Sequence, residues 1–276
     1  MALLWIDGRL EESAAACIFA LDRGLLYGDG LFTTVRIRGG EPVLIGEHLA
    51  RLDHDAAALG FQIKYTHQEL LAGMQGVIDA NAIIGGVARL TITRGVGLRG
   101  LVPAGNPNPT ALITVTAGIP YEESLYATGL RAVLLPWPRN ERSPLTGVKS
   151  LNRLEDVLGA RAAEQAGANE GLFLNTAGFL AEGTRSNVFL VRGGRILTPP
   201  EDAGLLPGVT RRQLLLHGIA KEERLTAQDL LEAEEAFLTN SILEVAPLVR
   251  VDGHGISTGR PGPMTKEIMT WYRQTD

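Results

Sequence analysis

The sequence predicts a mixed α/β protein built in two halves. Short strand-like runs alternate with segments of helical period along the whole chain. A turn-rich joint, Gly118-Ile-Pro-Tyr-Glu-Glu123, separates a first series of elements from a second. The length, 276 residues, suffices for one large domain or two smaller ones, each with a real core.

In the first half, residues 3–6 and 9–11 flank Asp7-Gly8, a hairpin turn signal. The turn-rich stretch 25–30 leads into a strand at 31–38, which Gly39-Gly40 turns into a second strand at 42–45. A helix is predicted over 46–60, with Leu49, Leu52, Ala56 and Leu59 on its apolar face. Arg51 and Asp55 lie off that stripe, the usual place of solvated charges. Thr66-His-Gln-Glu69 is a capping box opening a helix to about residue 80. Strands are expected at 87–94 and 110–116. Between them stands Gly95-Val-Gly-Leu-Arg-Gly100, which has the spacing of a dinucleotide fingerprint. That motif needs a helix to follow at once, and the prolines at 103, 107 and 109 forbid one. The stretch 95–109 is therefore a loop, a candidate lid.

In the second half a strand at 130–137 precedes Lys149. A helical pattern follows it directly, with Leu151, Leu154, Val157, Leu158 and Ala162 along one face and Gly167 as its stop. Hairpins are expected around 175–178 and Gly193-Gly194. A helix running to about 220 follows Gly204-Leu-Leu-Pro-Gly-Val-Thr-Arg211, either as a plain start capped by Thr210 or as an anion site made by backbone amides. Thr226 caps a short helix, strands are expected at 235–238 and 243–251, and a helix closes the chain at 265–273.

Composition excludes several functions. The net charge is −5, with no basic stripe, so nucleic acid is not expected as a partner. One cysteine, Cys17, leaves no disulfide framework, and the five histidines have no metal-ligand spacing. No apolar run spans a membrane and the N-terminus is unlike a signal peptide, so a soluble cytoplasmic protein is expected. Lysine is scarce, four residues against twenty-two arginines. Lys149 stands at a strand-to-helix junction among apolar neighbours, surroundings that lower an amine's pKa and suit it to Schiff-base chemistry. A lysine beside a helix start is nonetheless ordinarily solvated or packed.

Four pieces taken together are more specific: GVKSLNRLE with Lys149, AEGTRSNVFLV with Glu182, GLLPGVTR with Thr210, and EHLARL with Arg51. In this order the chain resembles the class IV aminotransferases, the fold-type IV pyridoxal 5′-phosphate enzymes, over essentially its whole length. The resemblance implies two α/β domains, a smaller one at 1–117 and a larger barrel-like one at 125–276 carrying the lysine. It places loop 118–124 between them and the cofactor in their cleft. It implies that Lys149 is the Schiff-base lysine, that Glu182 faces the pyridine nitrogen and that Leu206 packs behind the ring. Arg51, Val209, Thr210, Ser241 and Ile242 would hold the phosphate. Members are typically homodimers whose partner subunit helps close the active site.

Within the family, the stretch 27–34 with Phe32-Thr33 is similar to 4-amino-4-deoxychorismate lyases, whereas D-amino acid enzymes tend to carry Tyr-Glu there. KSLNRLE with Arg153 and TNSILE at 239–244 lean the same way; Ser150 departs from lyases with a histidine after the lysine. The implied activity converts 4-amino-4-deoxychorismate to 4-aminobenzoate, a folate precursor, and pyruvate, with Lys149 as general base. The substrate has two carboxylates, so Thr33, Thr34, Arg94 and Arg99 are candidate contacts. The alternatives are a D-amino acid or branched-chain aminotransferase, or a binding protein that has lost catalysis.

Overall fold

The computed structural model describes residues 2–97, 100–103 and 108–275. They form two compact units, Met1–Pro120 with Val148–Asn152, and Tyr121–Gly147 with Arg153–Asp276.

The first unit comprises β1 (Leu3–Ile6), β2 (Arg9–Glu12), α1 (Arg23–Tyr27), β3 (Gly30–Arg38), β4 (Glu41–Pro42), α2 (Ile45–Ala58), α3 (His67–Ala80), β5 (Gly86–Thr93) and β6 (Ala111–Ala117). Its six strands run in the order β2-β1-β6-β5-β3-β4, every pair antiparallel. Side chains alternate along β3: Leu31, Thr33, Val35 and Ile37 point to the face covered by α2 and α3, where Leu49, Leu52, Leu70, Met74 and Val77 complete the core. The predicted strand at 42–45 stops at Pro42. Leu44 takes a left-handed conformation (φ 50°) and α2 starts at the next residue. The capping box at Thr66 and Glu69 forms as the sequence predicts.

The second unit comprises α4 (Ser124–Thr128), β7 (Leu130–Leu134), α5 (Leu154–Gln165), β8 (Glu170–Leu174), β9 (Leu180–Gly183), β10 (Asn187–Arg192), β11 (Arg195–Thr198), α6 (Val209–Leu216), β12 (Ala220–Glu222), α7 (Ala227–Leu231), β13 (Glu235–Asn240), β14 (Glu244–Val251), β15 (His254–Gly255) and α8 (Pro263–Thr275). Its sheet is mixed, in the order β12-β11-β10-β13-β14-β7-β8-β9, with β15 beside β14; the pairs β11/β12, β14/β7 and β7/β8 are parallel. The core gathers Leu172, Leu180, Val188, Leu190, Leu238, Ala246 and Leu248 from these strands.

In the second unit three expectations change. The strand before Lys149 ends at Leu134, because Pro136 and Pro138 cannot donate to a ladder. The predicted helix to 220 ends at Leu216, and 220–222 becomes a strand parallel to β11. The helix after Lys149 does not begin at once: α5 starts at Leu154, with Leu154, Val157 and Leu158 exposed by 71%, 57% and 49%. Its buried face is Asp156, Gly159 and Ala163. Gly159 has no room for a Cβ, which would meet Leu135 and Thr184 at 2.8 Å, and Asp156 is drawn inward by ion pairs.

Helix α8 is fastened at its start by a side chain from another element. Glu235 on β13 accepts hydrogen bonds from the amides of Met264 (3.0 Å) and Thr265 (2.8 Å) and from the Thr265 hydroxyl (2.7 Å). Helix N-termini present otherwise unmatched donors, so Glu235→Ala should destabilise the fold by about 1–2 kcal/mol. Urea unfolding of the variant beside the parent protein measures the loss.

Candidate functional site

Two clusters of polar side chains stand out, one in each unit. The first is built around Lys149. Strand β4 pairs with Ile37 and Arg38 of β3, and at Gly30–Phe32 residues 149–151 run along β3 instead. Phe32 N–H donates to the Lys149 carbonyl (3.1 Å) and Leu151 N–H to the Gly30 carbonyl (2.9 Å). Gly30 is required here, since a Cβ would meet the Ile92 carbonyl oxygen at 2.6 Å. Lys149 N–H donates to Asp55 Oδ2 (3.0 Å), and Val148 enters the core of the first unit. These bonds explain why 148–152 groups with the first unit, whereas the sequence-based division assigned Lys149 to the second domain. The Lys149 ammonium lies 4.8 Å from the centroid of the Phe32 ring.

Helix α2 carries a second, polar stripe: His48, Arg51 and Asp55. Arg51 is half-buried rather than solvated, and Asp55 and His48 are each 1% exposed. Arg51 Nη2 donates to Thr33 Oγ1 (3.0 Å), which lies 2.6 Å from His48 Nδ1. The Thr33 hydroxyl can give its proton to Nδ1 of a neutral His48, or accept from it in the other tautomer. Burial first, then the positive charges of Arg51 and Lys149, hold His48 well below its ordinary value. Burial pushes the Asp55 carboxyl up, against the Lys149 amide and the charges of Arg51, His54 and Lys149; its Oδ1 has no hydrogen-bond partner.

The other expected substrate contacts divide. Thr34 lies on the opposite face of β3, directly across from Arg89, whose guanidinium stacks 3.8 Å above the Phe32 ring. Sequence reasoning missed Arg89; the alternation of β5 puts it on the same face as Thr34. Arg94 is committed elsewhere. Its Nε contacts both oxygens of Asp29 (2.8 and 2.9 Å), and its other nitrogens bond the carbonyls of Leu59 and Gly60. Burial disfavours the Asp29 anion, but Arg94 and Arg23 together hold its carboxyl below the usual range. Arg99 lies outside the described residues, as do residues 98 and 104–107 of the candidate lid.

The second cluster surrounds Glu182, on β9 and buried. Its Oε2 accepts the Leu206 N–H (2.9 Å) and its Oε1 lies 3.3 Å from Arg139 Nη2. Arg139 also pairs with Asp156 (2.6 Å) and Glu155 and lies 3.9 Å over the Phe173 ring. Burial pushes Glu182 up, while Arg139, the Leu206 amide and Arg153 act to keep it ionised. The loop after Glu182 is held by Glu170, which accepts from Thr184 N–H, Thr184 Oγ1 and Ser186 Oγ. Arg139 and Glu170 have no motif around them that marks them in the sequence.

Val209 and Thr210 open α6, but Thr210 is not its cap. The cap position is Gly208, with no side-chain cap bond, so the first-turn amides are not satisfied by a capping residue. A Cβ on Gly208 would collide with Asn187 Oδ1, while Asn187 Nδ2 holds the Leu206 carbonyl (2.8 Å). Thr210 Oγ1 lies 3.1 Å from Tyr272 OH. Ser241 and Ile242 form the turn between β13 and β14, where Asn240 Oδ1 accepts the amides of Ile242 (2.9 Å) and Leu243 (2.7 Å). The neighbouring Thr239 hydroxyl is buried without a partner. Among the described residues no group of three or more His, Cys, Asp or Glu side chains is placed to hold a metal ion, and no helix is long and apolar enough to cross a membrane.

The model of the family described as amino-transferase class IV matches residues 30–251. A putative branched-chain-amino-acid aminotransferase of Methanocaldococcus jannaschii is 34% identical, over 98% of this chain and 95% of the relative. The aminodeoxychorismate lyase of Bacillus subtilis is also 34% identical, over 99% and 94%. D-alanine aminotransferases stand beside them at 27–32%. Among solved structures, the 4-amino-4-deoxychorismate lyase of Pseudomonas aeruginosa superposes with a TM-score of 0.87 at 33% identity, covering 99% of this chain and 98% of that one. Branched-chain aminotransferases superpose at 0.89–0.93 with 25–27% identity, one of them holding pyridoxamine 5′-phosphate.

A buried neutral His48 makes stability depend on pH. Its folded pKa is below the unfolded value of about 6.5, so its contribution is complete above that value and is lost as pH falls through the window beneath it. Between pH 7.5 and 6.0 the cofactor-free protein should lose stability through this one group, on the order of 1 kcal/mol. His48→Gln should remove that increment from the pH dependence, as read by urea unfolding at both values.

Proposed function

The chain belongs to the class IV aminotransferase family, and we propose that it is the pyridoxal-phosphate-dependent lyase that converts 4-amino-4-deoxychorismate to 4-aminobenzoate and pyruvate. The observation that carries the lyase reading is Thr33. D-amino acid members tend to place the acid of a Tyr-Glu pair there; here a hydroxyl joins Arg51 to His48. The lyase relatives at 33–34% identity are compatible with the same reading.

The residues present suit the cofactor. A buried carboxylate at Glu182 matches a ring nitrogen that must stay protonated. The start of α6, without a side-chain cap, and the partnerless Thr239 hydroxyl are polar groups that a phosphate would satisfy. In this reading Glu182 faces the ring nitrogen and Leu206 packs behind the ring. Arg51, Val209, Thr210 and the Ser241–Ile242 turn hold the phosphate. Pyridoxal phosphate, when bound, supplies an electron-accepting ring joined to the substrate amine.

Lys149 then acts as the base. Its Nζ takes the proton from the ring carbon bearing the amine, and the fixed backbone of 148–151 sets where that amine can reach. The enolpyruvyl ether leaves as enolpyruvate, which gains a proton at its methylene carbon to become pyruvate. The ring left behind is aromatic, which drives the step forward. We assign a substrate carboxylate to Arg89, which lies across from Thr34 and over the Phe32 ring and whose Nε also donates to Thr91 Oγ1 (3.2 Å).

A second reading, a branched-chain or D-amino acid aminotransferase, is supported by the archaeal relative at 34% identity. It starts from the same proton removal but keeps the amino group. Supplying the purified protein with pyridoxal phosphate and enzymatically generated 4-amino-4-deoxychorismate separates the two. Equal amounts of 4-aminobenzoate and pyruvate are expected. Their absence, with turnover of D-alanine or a branched-chain amino acid and 2-oxoglutarate, would establish the transaminase instead. We read the protein as a cytoplasmic homodimer, for which the exposed apolar Phe19, Leu25, Leu154 and Val157 offer contact area; sedimentation as a monomer would refute it.

Two substitutions test the site. Lys149→Ala should lower turnover at least about a thousandfold, and retained turnover would remove the lysine from the chemistry. For Arg51→Ala the expected result is cofactor affinity reduced roughly tenfold or more, measured by equilibrium dialysis.

A further inference from the structure

The hydroxyl of Thr210 is completely buried, and the group it meets comes from the last helix of the chain. Tyr272 OH lies 3.1 Å from Thr210 Oγ1, and Tyr272 is itself only 3% exposed. The position of this phenol is well determined. Helix α8 packs on β13 and β14, its start is fastened by Glu235, and Trp271 meets His217 at the far end of α6 in an edge-on contact of 5.1 Å. The two helices therefore touch at both ends of α6.

We propose that Tyr272 is a positioning residue of the phosphate site: it donates its proton to Thr210 Oγ1 and so directs the threonine's own proton toward the phosphate. The inference rests on Thr210 being a phosphate contact. The direction of donation follows from the chemistry. A phosphate accepts and does not donate, so a threonine that serves it must use its single proton there and accept from its other neighbour. A phenol is the more acidic of the two hydroxyls and the better donor. Hydrogen bonds in series polarise one another, so the Thr210 donor becomes stronger toward an anion. Tyr272→Phe removes only this oxygen and keeps the buried ring.

The test titrates the cofactor-free protein with pyridoxal 5′-phosphate and, separately, with pyridoxal, which lacks the phosphate. Tyr272→Phe should weaken pyridoxal 5′-phosphate roughly three- to tenfold and leave pyridoxal unchanged, the scale of one hydrogen bond. Thr210→Val should weaken pyridoxal 5′-phosphate at least as much. In that background Tyr272→Phe should add nothing, whereas with Thr210→Ser the tyrosine's effect should persist. Unchanged affinity in Tyr272→Phe, or an equal loss for both ligands, would overturn the proposal while leaving Thr210 in place. If Thr210→Val binds both ligands as the parent does, the phosphate assignment fails and the role of Tyr272 fails with it.

Discussion

The backbone of Lys149 is held from two directions, and the arrangement of the first unit follows from that constraint. On one side β3 supplies the Phe32 amide and the Gly30 carbonyl; on the other, Asp55 accepts the lysine's own amide. A side chain with four rotatable carbons is only as well aimed as the chain that carries it, so a base on a freely moving loop would lose much of its effective concentration. The cost appears nearby. Asp55 is buried with one oxygen unmatched, and burial disfavours its charged form. Helix α2 thus gives up three positions of its inner surface to polar residues. The apolar stripe of Leu49, Leu52 and Ala56 compensates against the core.

In the second unit the corresponding problem is a buried carboxylate. Taking Glu182 out of water favours its neutral form, which would not hold a protonated ring nitrogen. Arg139 opposes this, and Arg139 is in turn held by Asp156, Glu155 and the Phe173 face. Breaking a buried pair by removing one member typically costs about 3–5 kcal/mol, because the other is left uncompensated. The small residues of α5 make the network possible: Gly159 lets the helix approach, and Asp156 enters with it.

Much of this was legible in the sequence, and the limits have physical causes. The hairpins around Asp7-Gly8 and Gly193-Gly194, the Thr66 capping box and the Thr226 cap are local signals, and they formed where the sequence placed them. The face of α5 was misread because its apolar residues are on the outside, while the inner face is set by an ion pair and a glycine. Periodicity does not report such contacts. Arg51 and Asp55 looked solvated for the same reason: a polar stripe facing Thr33 and Lys149 has the spacing of one facing water. Arg139, 43 residues before Glu182 in the chain, meets it only through folding.

Lyase and transaminase chemistry begin with the same proton, so residues that hold the cofactor do not discriminate between them. The distinction must lie in what surrounds the substrate, and strand geometry limits the choice. The period of two along β3 turns Thr33 inward to Arg51 and His48, and Phe32 and Thr34 to the opposite face, with Arg89 across from Thr34. In the proposed lyase reading Thr33 acts through the arginine it meets, and Phe32, Thr34 and Arg89, on the other face, would read the substrate. A guanidinium stacked on the ring that also lies beside the Lys149 ammonium sets a positive charge close to the base. That arrangement suits a substrate bearing a carboxylate away from its reacting carbon, and gives a purely apolar side chain nothing to pair with.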